Sequence, residues 1–169
     1  MIAPITIENY NVLWPERFES LHSRIAAVLD GLASAIEHVG STAVPGLAAK
    51  PIIDIDVLLR SAADLPLAIM RLAAQGYEHR GDLGMPGREA FQAVDNVFSH
   101  HLYVCLPDCS EYYRHLAFRD YLRAHPEDAC AYANLKRMLA SQSATDREAY
   151  TQAKTAFVQE ILRRTGMTL

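Results

Sequence analysis

Along the chain the spacing of hydrophobic positions changes several times, and each change marks an element. From Glu16 to Leu32, behind a Trp14-Pro15 turn, Phe18, Leu21, Ile25, Val28 and Leu29 recur at helical intervals, which predicts an amphipathic helix stopped at Gly31. AIEHV reads as a short strand ending at Gly40, and PIIDIDVLL as a second, rich in branched residues. Ala62 to Gln75 returns to helical spacing and closes at Gly76; YEHRG begins another strand, and GMPGREAF turns into a strand near Phe91–Val94. Ser99 to Leu106, SHHLYVCL, alternates as a strand should. After Pro107 the helical period takes over: Ser110–His125, Pro126–Ser143 and Asp146–Arg164 are predicted helices, the last opened by a capping box at Thr145–Glu148. The outline is an α+β fold: one helix, a small mixed sheet with a crossover helix, and a helical C-terminal half. With 169 residues, half of them hydrophobic, the chain suits a single domain over 1–169.

One strand breaks its own pattern. In PIIDIDVLL the apolar residues Ile53, Ile55 and Val57 face one way, so Asp54 and Asp56 face the other together. Neighbouring same-face carboxylates repel unless a cation lies between them, and Mg²⁺ prefers carboxylate and phosphate oxygens. A strand with one wet face alternates in the same way, so the tripeptide alone decides nothing. The preceding turn changes the balance. Gly40 can bring backbone close to a phosphate and Ser41 adds a hydroxyl. Strand, Gly-Ser turn, loop and then Asp-x-Asp sets an anion cradle beside a metal-binding edge, as a metal-bound nucleoside triphosphate requires.

Composition narrows the field. The formal net charge of -4 weakens the case for a nucleic-acid surface and leaves room for a small anionic ligand in a local pocket. No apolar run reaches the ~18 residues of a membrane span, and the first residues lack the form of a signal peptide, so a cytoplasmic protein is expected. Cys105, Cys109 and Cys130 are too few and too unevenly spaced for a disulfide framework or a closed zinc site.

The Gly-Ser turn followed by Asp-x-Asp resembles the core motif of the nucleotidyltransferase superfamily, the fold of polymerase beta. More closely, the chain resembles the GrpB family through IEHVGSTAVPGLAAKPIIDIDV, the GMPGR turn, HHLYV, FRDYLRAHPE and DREAYTQAKTAF, from about Trp14 to the last helix. The resemblance implies a nucleotidyltransferase-like fold, and with it in-line attack on the α-phosphate of a nucleoside triphosphate. Asp54 and Asp56 would hold Mg²⁺ or Mn²⁺, Gly40 and Ser41 the phosphates, and a small molecule would accept the nucleotide. Some relatives are fused to dephospho-CoA kinase, which points toward coenzyme A metabolism.

The superfamily places a third carboxylate on a later strand. SHHLYVCL offers His101 and Tyr103 on one face and no acid; Asp95 precedes it and Asp108 follows it. His101 is therefore the candidate base, with metal ligation or a hydrogen-bonded edge histidine as alternatives, and His100 shares its candidacy for the site. Lys50 is set apart by the motif around it, Lys154 and Tyr150 by the family match on one helical face, and Arg88 by its turn, as phosphate-binding candidates. Lys136, on the helix before, is also placed to point inward, but with neither mark its default reading is a solvated surface cation; Arg119 and Arg123 either bind part of the substrate or, as is commoner, pair with acids of neighbouring helices. The missing acid keeps a second reading in view: a nucleotide-binding or interaction module of the same fold without turnover.

Overall fold

Helix α1 (Trp14–Val28) carries Pro15 in its first turn, where a missing N–H costs no helical hydrogen bond, and buries Trp14, Phe18, Leu21 and Ile25. The computed structural model describes residues 6–94, 98–142 and 147–167. Five strands follow the helix: β1 (Ala33–Val39), β2 (Ile53–Leu59), β3 (Tyr77–Gly81), β4 (Arg88–Ala93) and β5 (His100–Cys105). They lie in the order β1-β2-β5-β4-β3. The β2–β5 pair is parallel and the other pairs are antiparallel, so the sheet is mixed, as expected.

Two elements depart from the sequence reading. Helix α2 (Leu65–Ala73) is shorter than Ala62–Gln75, because the Ser61 hydroxyl accepts from the Ala63 N–H at 3.2 Å and makes a separate 3₁₀ turn over Ala62–Asp64. Pro66 then falls in the first turn of α2, where it can be accommodated. Strand β4 begins at Arg88 rather than near Phe91, since pairing with β5 runs from Arg88 opposite Cys105 to Phe91 opposite Leu102.

The sheet has two unlike faces. On one, Ile53, Ile55, Val57 and Leu59 of β2 join Leu102 and Val104 of β5 beneath α1 and α2, forming the main core with Trp14, Leu21, Ile25 and Leu72. Each such side chain contributes about 1.5–3 kcal/mol when fully buried, so this face fixes the register of both strands. On the other face Leu58 and Cys105 pack with Tyr112 and Leu116 of α3 (Ser110–Ala124). Helices α4 (Pro126–Gln142) and α5 (Arg147–Arg164) complete the helical half. Their Tyr132, Ala133, Phe157 and Val158, with Leu122 of α3, hold Val44, Leu47 and Ala48 of the loop between β1 and β2. The loop after Gly40 is thus clamped by helices distant in sequence. Thr145 of the capping box and Asp95 lie outside the described residues. No helix among the described residues is long and apolar enough to cross a membrane.

Candidate functional site

The polar face of the sheet is built by register. Asp54 lies opposite His101 and Asp56 opposite Tyr103 on β5, while on the other side Val39 and Glu37 of β1 face them. The two aspartates, His101 and Tyr103 therefore share one face, as the alternation predicts. Each aspartate takes a histidine: His101 Nδ1 donates to Asp54 Oδ1 at 2.8 Å, and His115 Nδ1, from α3, donates to Asp56 Oδ2 at 2.6 Å. The mutual repulsion expected from the sequence is thus offset by two imidazoles. The Asp54 hydrogen bond, against the opposing effect of burial, raises the pKa of His101. His115 also ends above its ordinary range, the pull of Asp56 and Glu111 outweighing burial, which acts the other way.

Gly40 is required where it stands. Its φ is 71°, and a Cβ built there would overlap Asp54 Oδ2 and lie 3.0 Å from Asp54 Cγ. Backbone and carboxylate meet at a distance that only glycine permits. Ser41 follows in a 3₁₀ turn over Ser41–Ala43, and its hydroxyl accepts from Lys136 Nζ at 2.7 Å. The same ammonium donates to the Ala48 carbonyl at 2.6 Å and lies 4.7 Å from the Tyr132 ring centroid. Lys136 is only 3% exposed, so the solvated reading of this residue is corrected: α4 turns it into the site.

A cavity of about 220 Å³ is lined by Ser41, Lys50, Asp54, His101, Lys136 and Lys154, among others. Three ammonium groups share it with one carboxylate. Burial, then the charges of Lys154 and Arg137, push the Lys136 pKa down to about 7 against the pull of Asp54. Burial and Lys50 push Lys154 down to about 8, again against Asp54. Cations held partly discharged by burial and by one another make a site that an anion would relieve.

Arg88 is placed elsewhere. It lines a second cavity of about 190 Å³ with Val39, Gly40, Asp54, Tyr103 and His115, which meets the first only at Asp54. The structure therefore does not bring it beside Lys50, because β4 lies on the far side of β5 from β2. His100 is also set apart. It projects to the core face, where its Nδ1 donates to the Phe98 carbonyl and its Nε2 accepts from the Tyr77 hydroxyl, each at 2.8 Å. The side chain of Tyr150 lies outside the described residues. Asp108 is exposed after β5 and lines neither cavity.

For a metal, the described residues bring together no group of three or more His, Cys, Asp or Glu ligands. Mg²⁺ commonly binds through one or two carboxylates together with substrate phosphates, and for that mode the residues fit. Asp56 is wholly buried, and its Oδ1 has no hydrogen-bond partner. A buried carboxylate oxygen left in that state is costly unless a cation or donor meets it. A third carboxylate does reach this face, but from β1: Glu37, opposite Asp56, is held by Arg119 Nη1 at 2.6 Å. Arg119 also binds Asp120, and Arg123 donates to the Ala43 carbonyl, so this pair braces the loop as well as meeting acids.

His115 is the residue that the sequence reading missed. Glu111, His115 and Arg119 form a polar stripe at four-residue spacing on α3, and that stripe was the available signal.

The GrpB protein family model matches residues 4–164. Among curated relatives, the UPF0157 protein YqkA of Bacillus subtilis is 39% identical over 89% of this chain, and the UPF0157 protein BH1888 of Halalkalibacterium halodurans is 38% identical over 98%. The chain spans 44% of the first and 85% of the second. A dephospho-CoA kinase of Mycolicibacterium paratuberculosis is 24% identical over 96% of this chain and 46% of its own length. The crystal structure of the conserved protein GrpB from Enterococcus faecalis superposes with a TM-score of 0.85 and 33% identity, covering 95% of this chain and 96% of that one. Terminal uridylyl transferase 4 from Trypanosoma brucei, solved with bound UTP, reaches a TM-score of 0.52 at 14% identity over 96% of this chain and 54% of its own. The last is a likeness of fold, the nucleotidyltransferase fold.

Proposed function

The chain belongs to the GrpB family, and from that premise we propose that it is a metal-dependent nucleotidyltransferase, moving a nucleoside monophosphate from a nucleoside triphosphate to a small acceptor. The observation that carries this reading is the cavity where Ser41, Lys50, Lys136 and Lys154 converge on Asp54. Ser41 and the lysines would hold the triphosphate tail, and the close backbone at Gly40 sets Asp54 against it. Asp54 and Asp56 would hold Mg²⁺ or Mn²⁺, which when bound polarises phosphoryl oxygens and offsets their charge. The acceptor's hydroxyl oxygen bonds the α-phosphorus, the bond to the bridging oxygen breaks, and its electron pair leaves on pyrophosphate. His101, with Nδ1 already donating to Asp54, has Nε2 to take the hydroxyl proton. The fold shared with a uridylyl transferase that carries UTP supports a triphosphate as the ligand. The cytoplasm is the proposed setting, in keeping with three free cysteines.

The test is pyrophosphate release from each nucleoside triphosphate with Mg²⁺, with cell extract as the source of acceptor. Changing Asp54 and Asp56 together to Asn should abolish both turnover and the ligand-induced stabilisation seen in thermal unfolding, which mass action sets at ~2.7 kcal/mol for ligand at a hundred times Kd. His101→Asn should lower turnover by ~10²–10⁴-fold with triphosphate binding nearly unchanged. An undiminished ligand response in the double variant would remove the aspartates from the site. A second reading, a nucleotide-binding module linked to coenzyme A metabolism, is favoured by the absence of an acid at His101 and Tyr103. Tight triphosphate binding without pyrophosphate from any extract would establish it over the transferase.

A further inference from the structure

In-line displacement needs the attacking oxygen opposite the leaving group. If the lysine cavity holds the departing pyrophosphate, the acceptor must approach from another side of Asp54. The second cavity is the space that meets this requirement, because it shares Asp54 with the lysine cavity and contains none of its lysines. We infer that the Arg88 cavity is the acceptor site and that it takes a small hydroxyl-bearing anion, a carboxylate or a phosphate monoester. This inference rests on the nucleotidyltransferase reading.

Arg88 supplies the recognition. Its guanidinium lies over the Tyr103 ring, 4.4 Å from the centroid, so stacking fixes the plane of the fork. Its Nε is buried without a hydrogen-bond partner, and no carboxylate among the described residues forms an ion pair with it. A planar cation held in place with an unmet donor is suited to the two oxygens of a carboxylate or phosphate. At the opposite end Asp54 repels an anion, so the acceptor's charged group belongs at Arg88 and its hydroxyl at Asp54. At about 190 Å³ the cavity is somewhat smaller than the lysine cavity of about 220 Å³, in keeping with a guest smaller than a nucleotide, such as a short hydroxy acid or phosphorylated alcohol. The transfer keeps its balance: a new oxygen–phosphorus bond, pyrophosphate leaving with the electron pair, and the hydroxyl proton taken up by the hydrogen-bonded Asp54–His101 pair, whose carboxylate is the edge that the two cavities share.

The experiment titrates the full chain, with Mg²⁺ and a non-hydrolysable triphosphate analogue present, with glycerate, glycerol 3-phosphate and glycerol. An anionic probe should bind alongside the analogue while glycerol does not; a response to glycerate alone identifies a carboxylate acceptor, and to glycerol 3-phosphate alone a phosphate. Arg88→Gln should weaken the probe ~10–100-fold, the loss of a charged hydrogen-bonding pair, and change analogue affinity less than twofold. Arg88→Lys, which keeps the charge and loses the fork, should fall between. Lys154→Met should show the reverse pattern. Competition between probe and analogue, or an Arg88→Gln loss of analogue binding as large as that of Lys154→Met, would assign Arg88 to the nucleotide and overturn the inference. So would indifference of both anions to Arg88. If the wild-type protein binds no triphosphate while the probe still binds through Arg88, transfer itself is removed, and the acceptor role with it.

Discussion

Gly40 shows how far one residue's geometry can be pressed. It carries a left-handed φ and also faces the Asp54 carboxylate, so alanine would meet backbone strain and a collision together. Gly31 offers a control, since its φ is 77° and nothing lies within 4 Å of an added Cβ. Gly31→Ala should cost about 1–2 kcal/mol of stability from strain alone and leave the triphosphate response intact. Gly40→Ala should cost more and also lose that response, as Asp54 is pushed aside. Urea denaturation with and without Mg²⁺ and triphosphate reads both effects; an intact response in Gly40→Ala would make the turn structural only. Gly40, Ser41 and Asp54 were legible in the sequence because their chemistry is local: a turn, a hydroxyl and an alternating strand lie within a short stretch. Lys136 was legible only as a residue placed to point inward and not as a partner of Ser41, because nothing near it in sequence says that α4 packs against the loop that carries Ser41.

At the scale of elements, strands were easier to read than their partners. Period-two alternation gave the two faces of β2 and β5, and the register then brought Asp54 opposite His101. Helix α3 hid its contribution. Its polar stripe reads equally well as a solvated face, and only packing on the sheet turns His115 toward Asp56. Arg88 was read as a phosphate ligand for the same reason: a turn predicts exposure, not which cavity the side chain enters. The lysines from α4 and α5 yield a prediction of their own. Their pKa values of about 7 and 8 are held down by burial and mutual repulsion, so an anion should raise both. Pyrophosphate binding without metal at pH 8 should therefore take up protons, measured by calorimetry in buffers of differing ionisation heat. Lys136→Met should reduce that uptake and weaken binding. Equal proton uptake in the variant would separate Lys136 from the anion site.

Across the whole molecule, His38 ties layers together. Its ring stacks on Phe18 of α1 at 4.7 Å, and its Nε2 donates to the Thr42 hydroxyl at 2.9 Å, which donates onward to the Ile52 carbonyl. Burial first, with Arg123 and Arg119 adding to it and Asp54 opposing, holds its pKa down at about 4 from an ordinary 6.5. The unfolded chain therefore takes up a proton at higher pH than the folded one. His38 contributes full stability above about pH 6.5 and loses it as pH falls toward 4, by about 3 kcal/mol. His101 and His115, with raised values, act with the opposite sign: their contribution is present below pH 6.5 and fades as pH rises through the folded pKa. Denaturation at pH 7 and pH 4.5 should show a loss that His38→Asn largely removes; an equal loss in that variant would place the acid sensitivity elsewhere. The α+β outline and the helical half were legible because they follow from periodicity summed over long segments. The way the helices close over the β1–β2 loop depends on tertiary contacts that no local pattern encodes.

The span of the site's contacts has a consequence for how the protein matures. His101 and Asp54 are 47 positions apart, His115 and Asp56 are 59, and Lys136 and Ser41 are 95. Contacts so distant in sequence form late, after the loop-closure entropy between them has been overcome. On the ribosome, the Gly-Ser turn and both aspartates emerge well before the helices that complete their surroundings. A nascent chain halted before α4 therefore carries the motif without the pocket, and nucleotide affinity should appear during synthesis as a step when the final helices dock, not as a gradual rise.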